Sequence, residues 1–203
     1  DGSKDNTFEI CKRLHLKDKR VKVIKLRGWF GKSIALSAGF GLAKGEIIFT
    51  IDADLQDNPK EIPNFLKKLN EGYDLVSGWK KVRHDPLSKT LPSRIGNTTT
   101  RLLTGIKIHD LNCGFKAYRR EVVENLNLYG ELYKYIPVLV QKQNFKITEF
   151  VITFGVVVRK DIMESTVGFV ALSTIFCIKP VTASIRTWVK PPEGSADSRG
   201  VRL

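Results

Sequence analysis

The segment Ile47-Ile48-Phe49-Thr50-Ile51-Asp52-Ala53-Asp54-Leu55-Gln56-Asp57 runs a block of apolar side chains into three carboxylates and an amide within six residues. Burying such an acidic group is costly unless something pairs with it, so these side chains are expected to emerge where the strand ends. In open α/β sheets, the crevice at the carboxyl ends of the strands is where ligands bind. Residues 52, 54 and 56 share a parity and face one side if the extended geometry continues. Oxygen donors of this kind suit Mg2+ or Mn2+, which take few protein carboxylates and complete their shell with water and phosphate. An ion held there would bridge a diphosphate and neutralise the charge that grows on it as it leaves. The plainer reading is a solvated turn whose carboxylates cap the helix beginning at Pro59. Asp57 taken alone fits that role.

Helix-like and strand-like segments alternate around this turn, the order of an α/β layer fold. Glu46 to Ile51 reads as a strand covered on both faces. Pro59 to Asn70 reads as a helix, with Asp57 or Asn58 as its N-cap and Gly72 after it. Upstream, Asp5 to Leu16 is an amphipathic helix with Phe8, Cys11 and Leu14 on one face. Val21 to Leu26 alternates like a half-buried strand, and Gly31 to Lys44 is a second helix stopped by Gly45. Downstream, Asp74 to Trp79 is a strand, and Leu87 to Thr104 is helix-prone with a break expected at Pro92 and Gly96. Lys116 to Tyr118 and Lys146 to Phe154 read as strands, and Glu121 to Leu126 and Glu131 to Gln141 as helices.

Composition narrows the classes. A chain of 203 residues, 42% hydrophobic and 27% charged, fits one domain or a domain with an irregular tail, and excludes disorder throughout. No apolar run reaches the ~18–20 residues that span a bilayer. The opening Asp1-Gly2-Ser3-Lys4-Asp5 is polar and turn-forming, unlike a signal peptide. Cys11, Cys113 and Cys177 show no CxxC spacing, which argues against a disulfide framework or structural zinc and for a reducing, cytoplasmic setting. The net charge is +13, most of it in residues 1–150, and suits an anionic partner: nucleic acid, an anionic membrane face or a phosphorylated small molecule. His15, His84 and His109 have no ligand-like spacing and read as surface or packing residues. Trp79, Tyr129, Tyr133 and Tyr135 read as core or interfacial aromatics.

Several segments, in order, carry a resemblance. Asp1-Gly2-Ser3-Lys4-Asp5 resembles a DGSxD segment, and Gly31-Lys32-Ser33 with Ala35 and Gly39 a small-residue helix ahead of a DxD strand. Asp52 to Asp57 resembles the DxD metal-binding segment itself. Gly78 to Asp85 resembles a basic segment, and Ser93 to Asn97 the helix that follows it. Asp110 to Arg120 and Gly130 to Pro137 complete the series. Over roughly residues 1–150 the chain is similar to family 2 glycosyltransferases, specifically the polyprenyl-phosphate enzymes resembling dolichyl-phosphate mannosyltransferase. The resemblance implies a GT-A fold, an α/β mixed sheet flanked by helices and incomplete at its N-terminus. It also implies inverting transfer of a sugar from a GDP- or UDP-linked donor to a polyprenyl phosphate (dolichyl or undecaprenyl), with Mg2+ or Mn2+ as cofactor. A phosphate acceptor is already ionised at neutral pH, so no strong general base is required.

The resemblance also implies residue roles. Asp52, Asp54 and Gln56 would hold the metal, with Asp54 and Arg83 as the catalytic pair. Asp1, Lys32, Asp52 and Asp54 would bind the donor, Asp1 beside the nucleoside. Lys80 (or Lys81), Arg83, Lys116 and Arg119 would meet the acceptor or diphosphate phosphates, with Arg120 a further candidate and Arg101 and Lys107 weaker matches. A solvated basic loop or a basic helix start accounts for the same residues. The enzyme would sit at the cytoplasmic membrane face, peripheral to its anionic surface.

The family pattern places a strand, helix and second strand before the DGSxD segment, so residues 1–153 are expected to form a partial catalytic domain, weakly active or inactive alone. Residues 154–203 lose periodicity and read as an irregular tail, disordered or translated from a shifted frame. Permitted codons for Ile162 to Ser173, read in another frame, yield a Lys-Tyr-Gly run of the kind the family carries there. Two other functions remain open. A GT-A enzyme with a polysaccharide or protein acceptor would need an acidic base, for which Asp110 and Glu131 are the candidates. A basic nucleic-acid-binding module has the charge but no RNP-like, zinc-finger or helix-turn-helix signature, and no nucleic-acid partner is expected.

Overall fold

The computed structural model describes residues 1–54, 56–81, 87–153 and 173–178, with the backbone alone for 87–95 and 173–178. The central element is β1 (Ile47–Asp52), whose first five residues are buried. Its apolar side chains alternate between two cores. Ile48 packs with Leu36, Phe40, Leu75, Tyr118, Val122 and Val140 on one face. Ile47, Phe49 and Ile51 pack with Phe65, Val76 and Phe115 on the other. A run with no polar alternation is what a strand covered on both sides requires.

The strands β2 (Leu75–Trp79), β3 (Lys116–Arg119), β4 (Ile147–Val151) and β5 (Ser173–Ile178) join β1 in one sheet of order β4-β2-β3-β1-β5. β3 is antiparallel to both β1 and β2, and β4 is parallel to β2. The carboxyl ends of β1, β2 and β4 and the start of β3 therefore lie along one end of the sheet. Helices cover both faces. α2 (Lys32–Leu42), α5 (Arg120–Glu124) and α6 (Ile136–Lys142) supply the first core, and α3 (Ile62–Asn70) the second. α1 (Thr7–Lys17) precedes them, and α4 (Leu87–Thr104) links β2 to the segment before β3.

Most expected elements form within a residue or two of their expected bounds. The helix expected from Pro59 opens as a 3-10 turn, Pro59–Glu61, before α3, and its side-chain cap is Asn58, which accepts the Lys60 N–H at 3.1 Å. Three expectations are corrected. Residues 21–26 form no strand: a ladder needs a neighbouring strand, none of the described strands pairs with them, and the Val21 N–H turns back to the Asp18 carbonyl at 3.0 Å instead. α4 runs through Pro92 and Gly96 without the expected break. A proline removes a single backbone bond, to the carbonyl four residues earlier, and the remaining turns carry the helix past it. Within the segment expected to be irregular, β5 pairs antiparallel with the whole of β1, from Ile47↔Ile178 to Asp52↔Ser173.

The second core is aromatic. Phe65 is fully buried, with its ring centroid 4.3 Å from Phe115, 4.7 Å from Phe150 and 5.8 Å from Phe49. Phe65→Ala is expected to cost about 3–5 kcal/mol in urea denaturation, a large part of a domain's ordinary stability. A loss below about 1 kcal/mol would mean that this cluster does not hold α3 to the sheet.

Candidate active site

The candidate site lies at the end of the sheet built by β1, β2 and the loop entering β3. Asp52 is the last residue of β1, half-buried beside Lys32, the first residue of α2. Lys32 Nζ donates to Asp52 Oδ1 at 2.7 Å, with both side chains roughly 30% exposed. Asp1 closes the approach to α2: its carboxylate accepts the N–H groups of Phe30 (2.6 Å) and Gly31 (3.0 Å), where Gly31 takes φ +86°. A carboxylate near a helix N-terminus is favoured by the helix dipole, and glycine is the residue that enters this φ without strain. The first turn of α2 is tied to the segment before α6 by Ser33, whose Oγ accepts the Tyr133 N–H at 3.1 Å.

After Asp52 the chain turns. Asp54 Oδ1 accepts the Gln56 N–H at 3.1 Å, a local bond that aspartate readily forms in turns. Asp57 comes back to β1, where its Oδ2 accepts the Asp52 N–H at 3.2 Å and its Oδ1 lies 2.7 Å from Lys80 Nζ. Burial raises the Asp57 carboxyl above its ordinary range, against the pull of Lys80. Burial also works against the Lys80 charge, but the Asp57 carboxylate, together with Cys113 and Asp52, holds the ammonium above its ordinary value.

The third wall is the loop 111–115. Gly114 faces Asp52 so closely that an added Cβ would lie 2.1 Å from Asp52 Oδ2. Its carbonyl accepts Thr50 Oγ1–H at 2.7 Å. Lys116 is fully buried, and its ammonium donates to the carbonyls of Leu111 (3.2 Å) and Cys113. Burial lowers its pKa and pushes the Cys113 thiol up to about 12, so that cysteine is a packing residue rather than a nucleophile. A small cleft opens between these walls, lined by Lys32, Thr50, Asn112, Gly114, Lys116 and Tyr133.

Among the described residues, no three His, Cys, Asp or Glu side chains gather as a metal-holding group. The arrangement still fits an ion of the Mg2+ or Mn2+ kind, which keeps water and substrate phosphate among its ligands. Asp52 already holds a cation in Lys32, and the missing Cβ at Gly114 leaves its carboxylate the room it occupies. Asp54 and Gln56 sit in the same turn, two and four residues on.

The structure brings several of the expected site residues to one end of the sheet and places several of the basic ones elsewhere. Asp1, Lys32, Asp52, Asp54, Gln56 and Lys80 all belong to the elements that meet there. Arg83 lies outside the described residues. Two assignments to phosphate are corrected. Lys116 turns inward to loop carbonyls. Arg119 lies at the far end of β3, paired in register with Ile47, where it donates to the carbonyls of Leu69 (2.7 Å) and Tyr73 (3.2 Å). Arg120 likewise binds the carbonyls of Ala43 and Gly45. Lys80 is in place but engaged by Asp57. His109 stacks on Trp79 at 4.2 Å and pairs with Glu149, so it packs, as expected, beside the end of β2. Sequence reasoning underrated Gly114 and Asp57. The available signal for Gly114 was a glycine at a strand entry, which often marks close backbone approach.

Residues 1–126 match the family model for glycosyl transferase family 2. The chain is 35% identical over 140 residues to dodecaprenyl-phosphate galacturonate synthase of Rhizobium johnstonii, covering 68% of this chain and 41% of that protein. It is 38% identical over 140 residues to undecaprenyl-phosphate 4-deoxy-4-formamido-L-arabinose transferase of Shewanella sediminis, covering 68% and 42%. The chain thus spans about two fifths of the length of the curated relatives it matches. Among solved structures, glucosyl-3-phosphoglycerate synthase of Mycobacterium tuberculosis with Mn2+ and UDP-glucose superposes with TM-score 0.54 and 23% identity, covering 75% of this chain and 56% of that one.

Proposed function

The chain belongs to glycosyl transferase family 2, and from that premise we propose that it serves the transfer of a sugar from a nucleotide diphosphate to the phosphate of a polyprenyl phosphate. Its fold is GT-A, a mixed sheet flanked by helices. The observation that carries the proposal is the Asp52–Lys32 pair at the end of a buried strand, with Asp54 two residues on. It sets an anionic ligand and a cationic side chain side by side, which is what a cation and a diphosphate need together. A divalent ion held by Asp52 and Asp54, with Gln56 beside them, would neutralise the diphosphate as it leaves. Lys32, at the start of α2, would meet the donor phosphates, and Asp1, which accepts the N–H groups of Phe30 and Gly31, would hold the backbone that aims it. The relatives named for polyprenyl-phosphate sugar transfer, and the Mn2+ and UDP-glucose of the structural neighbour, support the donor, metal and acceptor classes.

A hydroxyl acceptor would need a base, and neither candidate favours that reading. Glu131 is exposed and paired with Lys134 at 2.5 Å, and Asp110 is buried. The charge of +13 suits a phosphorylated acceptor at an anionic lipid surface. Exposed apolar side chains stand next to bases: Leu102 and Leu103 beside Arg101, and Trp29 and Phe30 between Arg27 and Lys32. No described helix is long and apolar enough to cross a membrane.

The test is calorimetric titration of UDP- and GDP-sugars into the full chain, with and without Mn2+. Binding is expected only with the metal and should weaken at least about tenfold in Asp54→Ala. Retention of metal-dependent binding by that variant would overturn the site. Labelled sugar appearing on a polysaccharide but not on polyprenyl phosphate would overturn the acceptor. Retention on heparin distinguishes nothing, since the charge alone explains it.

A further inference from the structure

We propose that Asp57 and Lys80 form a buried clamp that positions Asp52 for the cation, and that neither residue meets substrate. The inference rests on the metal reading above and assigns the aim of its first ligand to two residues that the reading leaves out or places elsewhere.

Three observations carry it. The Asp57 side chain is fully buried and that of Lys80 is 11% exposed, so a substrate phosphate has little access to either. The two oxygens of Asp57 are divided: Oδ2 accepts the Asp52 N–H at 3.2 Å and Oδ1 pairs with Lys80 at 2.7 Å. The pair also crosses the sheet. Asp57 follows β1 and Lys80 follows β2, with β3 lying between them. The ion pair therefore closes over the entry to β3, at the level of the loop whose Gly114 abuts the Asp52 carboxylate.

The chemistry explains why both partners are needed. Asp52 lies beyond the β1–β3 ladder, whose last register pair is Thr50↔Lys116, and its N–H is met instead by an acceptor five residues on, which turns the chain back and fixes the Asp52 backbone. A carboxylate gives this bond more strength than a neutral acceptor would. The same carboxylate is tolerated without solvent only because Lys80 balances it; removing one partner of a buried pair leaves the other uncompensated. Residues that orient a metal ligand without touching the metal commonly change affinity by about 10–100-fold when lost.

The experiment measures Mn2+ alone binding to the full 203-residue chain, from the paramagnetic resonance signal of free Mn2+, beside the thermal midpoint of each variant. Asp57→Ala removes the acceptor and the balance together and is expected to weaken Mn2+ at least about tenfold. Lys80→Met should weaken it severalfold, because the unbalanced carboxylate no longer holds its place. Asp57→Asn combined with Lys80→Met removes both charges while an amide oxygen still accepts the Asp52 N–H, so its affinity should return to within about threefold of the parent. Leu75→Ala, at the opposite end of β2, lowers stability without touching the clamp and should leave affinity unchanged. Should Asp57→Ala not fold, Lys80→Met and the double variant decide the matter. Single variants that bind as tightly as the parent overturn the clamp alone, as does an equal loss in Leu75→Ala. No Mn2+ binding by the parent chain overturns the metal reading and the clamp with it.

Discussion

Gly114→Ala is expected to abolish most cation binding while leaving the domain folded. The new Cβ would lie 2.1 Å from Asp52 Oδ2, 2.4 Å from Cγ and 2.6 Å from Oδ1, closer than atoms can stand, so one side must move. The loop is the stiffer partner. The Gly114 carbonyl accepts the Thr50 hydroxyl at 2.7 Å, and the neighbouring Phe115 carbonyl accepts the Gly78 N–H at 2.9 Å. Asp52 has only a short, half-buried side chain to rotate, held by Lys32 in a partly solvated pair, and such pairs are weak. The carboxylate should therefore swing away from Lys32 and from the cleft. An off-rotamer side chain costs about 0.5–1.5 kcal/mol, so the unfolding free energy should fall by no more than about that. Mn2+ affinity should fall about 10–100-fold, the size of effect seen when a ligand loses its orientation. Mn2+ binding and urea denaturation on the same preparation check both halves. Unchanged affinity would mean that Asp52 is not a ligand; a stability loss above about 3 kcal/mol would mean that the backbone yields instead.

The point where β1 leaves the sheet in a run of carboxylates was legible because its signal is local. A β1 buried on both faces needs an unbroken apolar run, and the abrupt change at Asp52 marks the point where the chain leaves the sheet. What the sequence could not show depends on partners. Residues 21–26 alternate as a strand should, but a strand exists only with a neighbour, and alternation says nothing of whether one is present. β5 was hidden for the converse reason: it lies in a segment without periodicity and is defined by pairing with β1. In the basic run from Lys116 to Arg120 the charges look equivalent in sequence. Yet β3, only four residues long, runs from one end of the sheet to the other. Lys116 stands level with Thr50 and Ser77, whereas Arg119 stands level with Ile47. Asp57 was ambiguous for a similar reason. It precedes a helix and resembles a cap, but Asn58 caps that helix and leaves Asp57 to turn inward.

Lys116→Ala should be the most damaging single change near the site, through the fold rather than through phosphate. Its ammonium is fully buried, and burial lowers its pKa, so the charge itself is an unfavourable thing to keep there. What offsets that cost is the pair of carbonyls, from Leu111 and Cys113, that would otherwise lack a donor in a buried loop. Alanine removes the donor and the aliphatic stem together. Each orphaned carbonyl costs about 1–3 kcal/mol, and the vacated volume adds to it, so a total loss of about 3–5 kcal/mol is expected. Lys116→Met keeps the stem and removes the buried charge, and the relief of desolvation should hold its loss to about 1–2 kcal/mol. Because the same loop carries Gly114 against Asp52, the alanine variant should also bind Mn2+ more weakly, and the methionine variant less so. An opposite pattern would return Lys116 to the phosphate role that its sequence context suggests: an alanine variant as stable as the parent, with Mn2+ affinity intact and affinity for the nucleotide diphosphate lost.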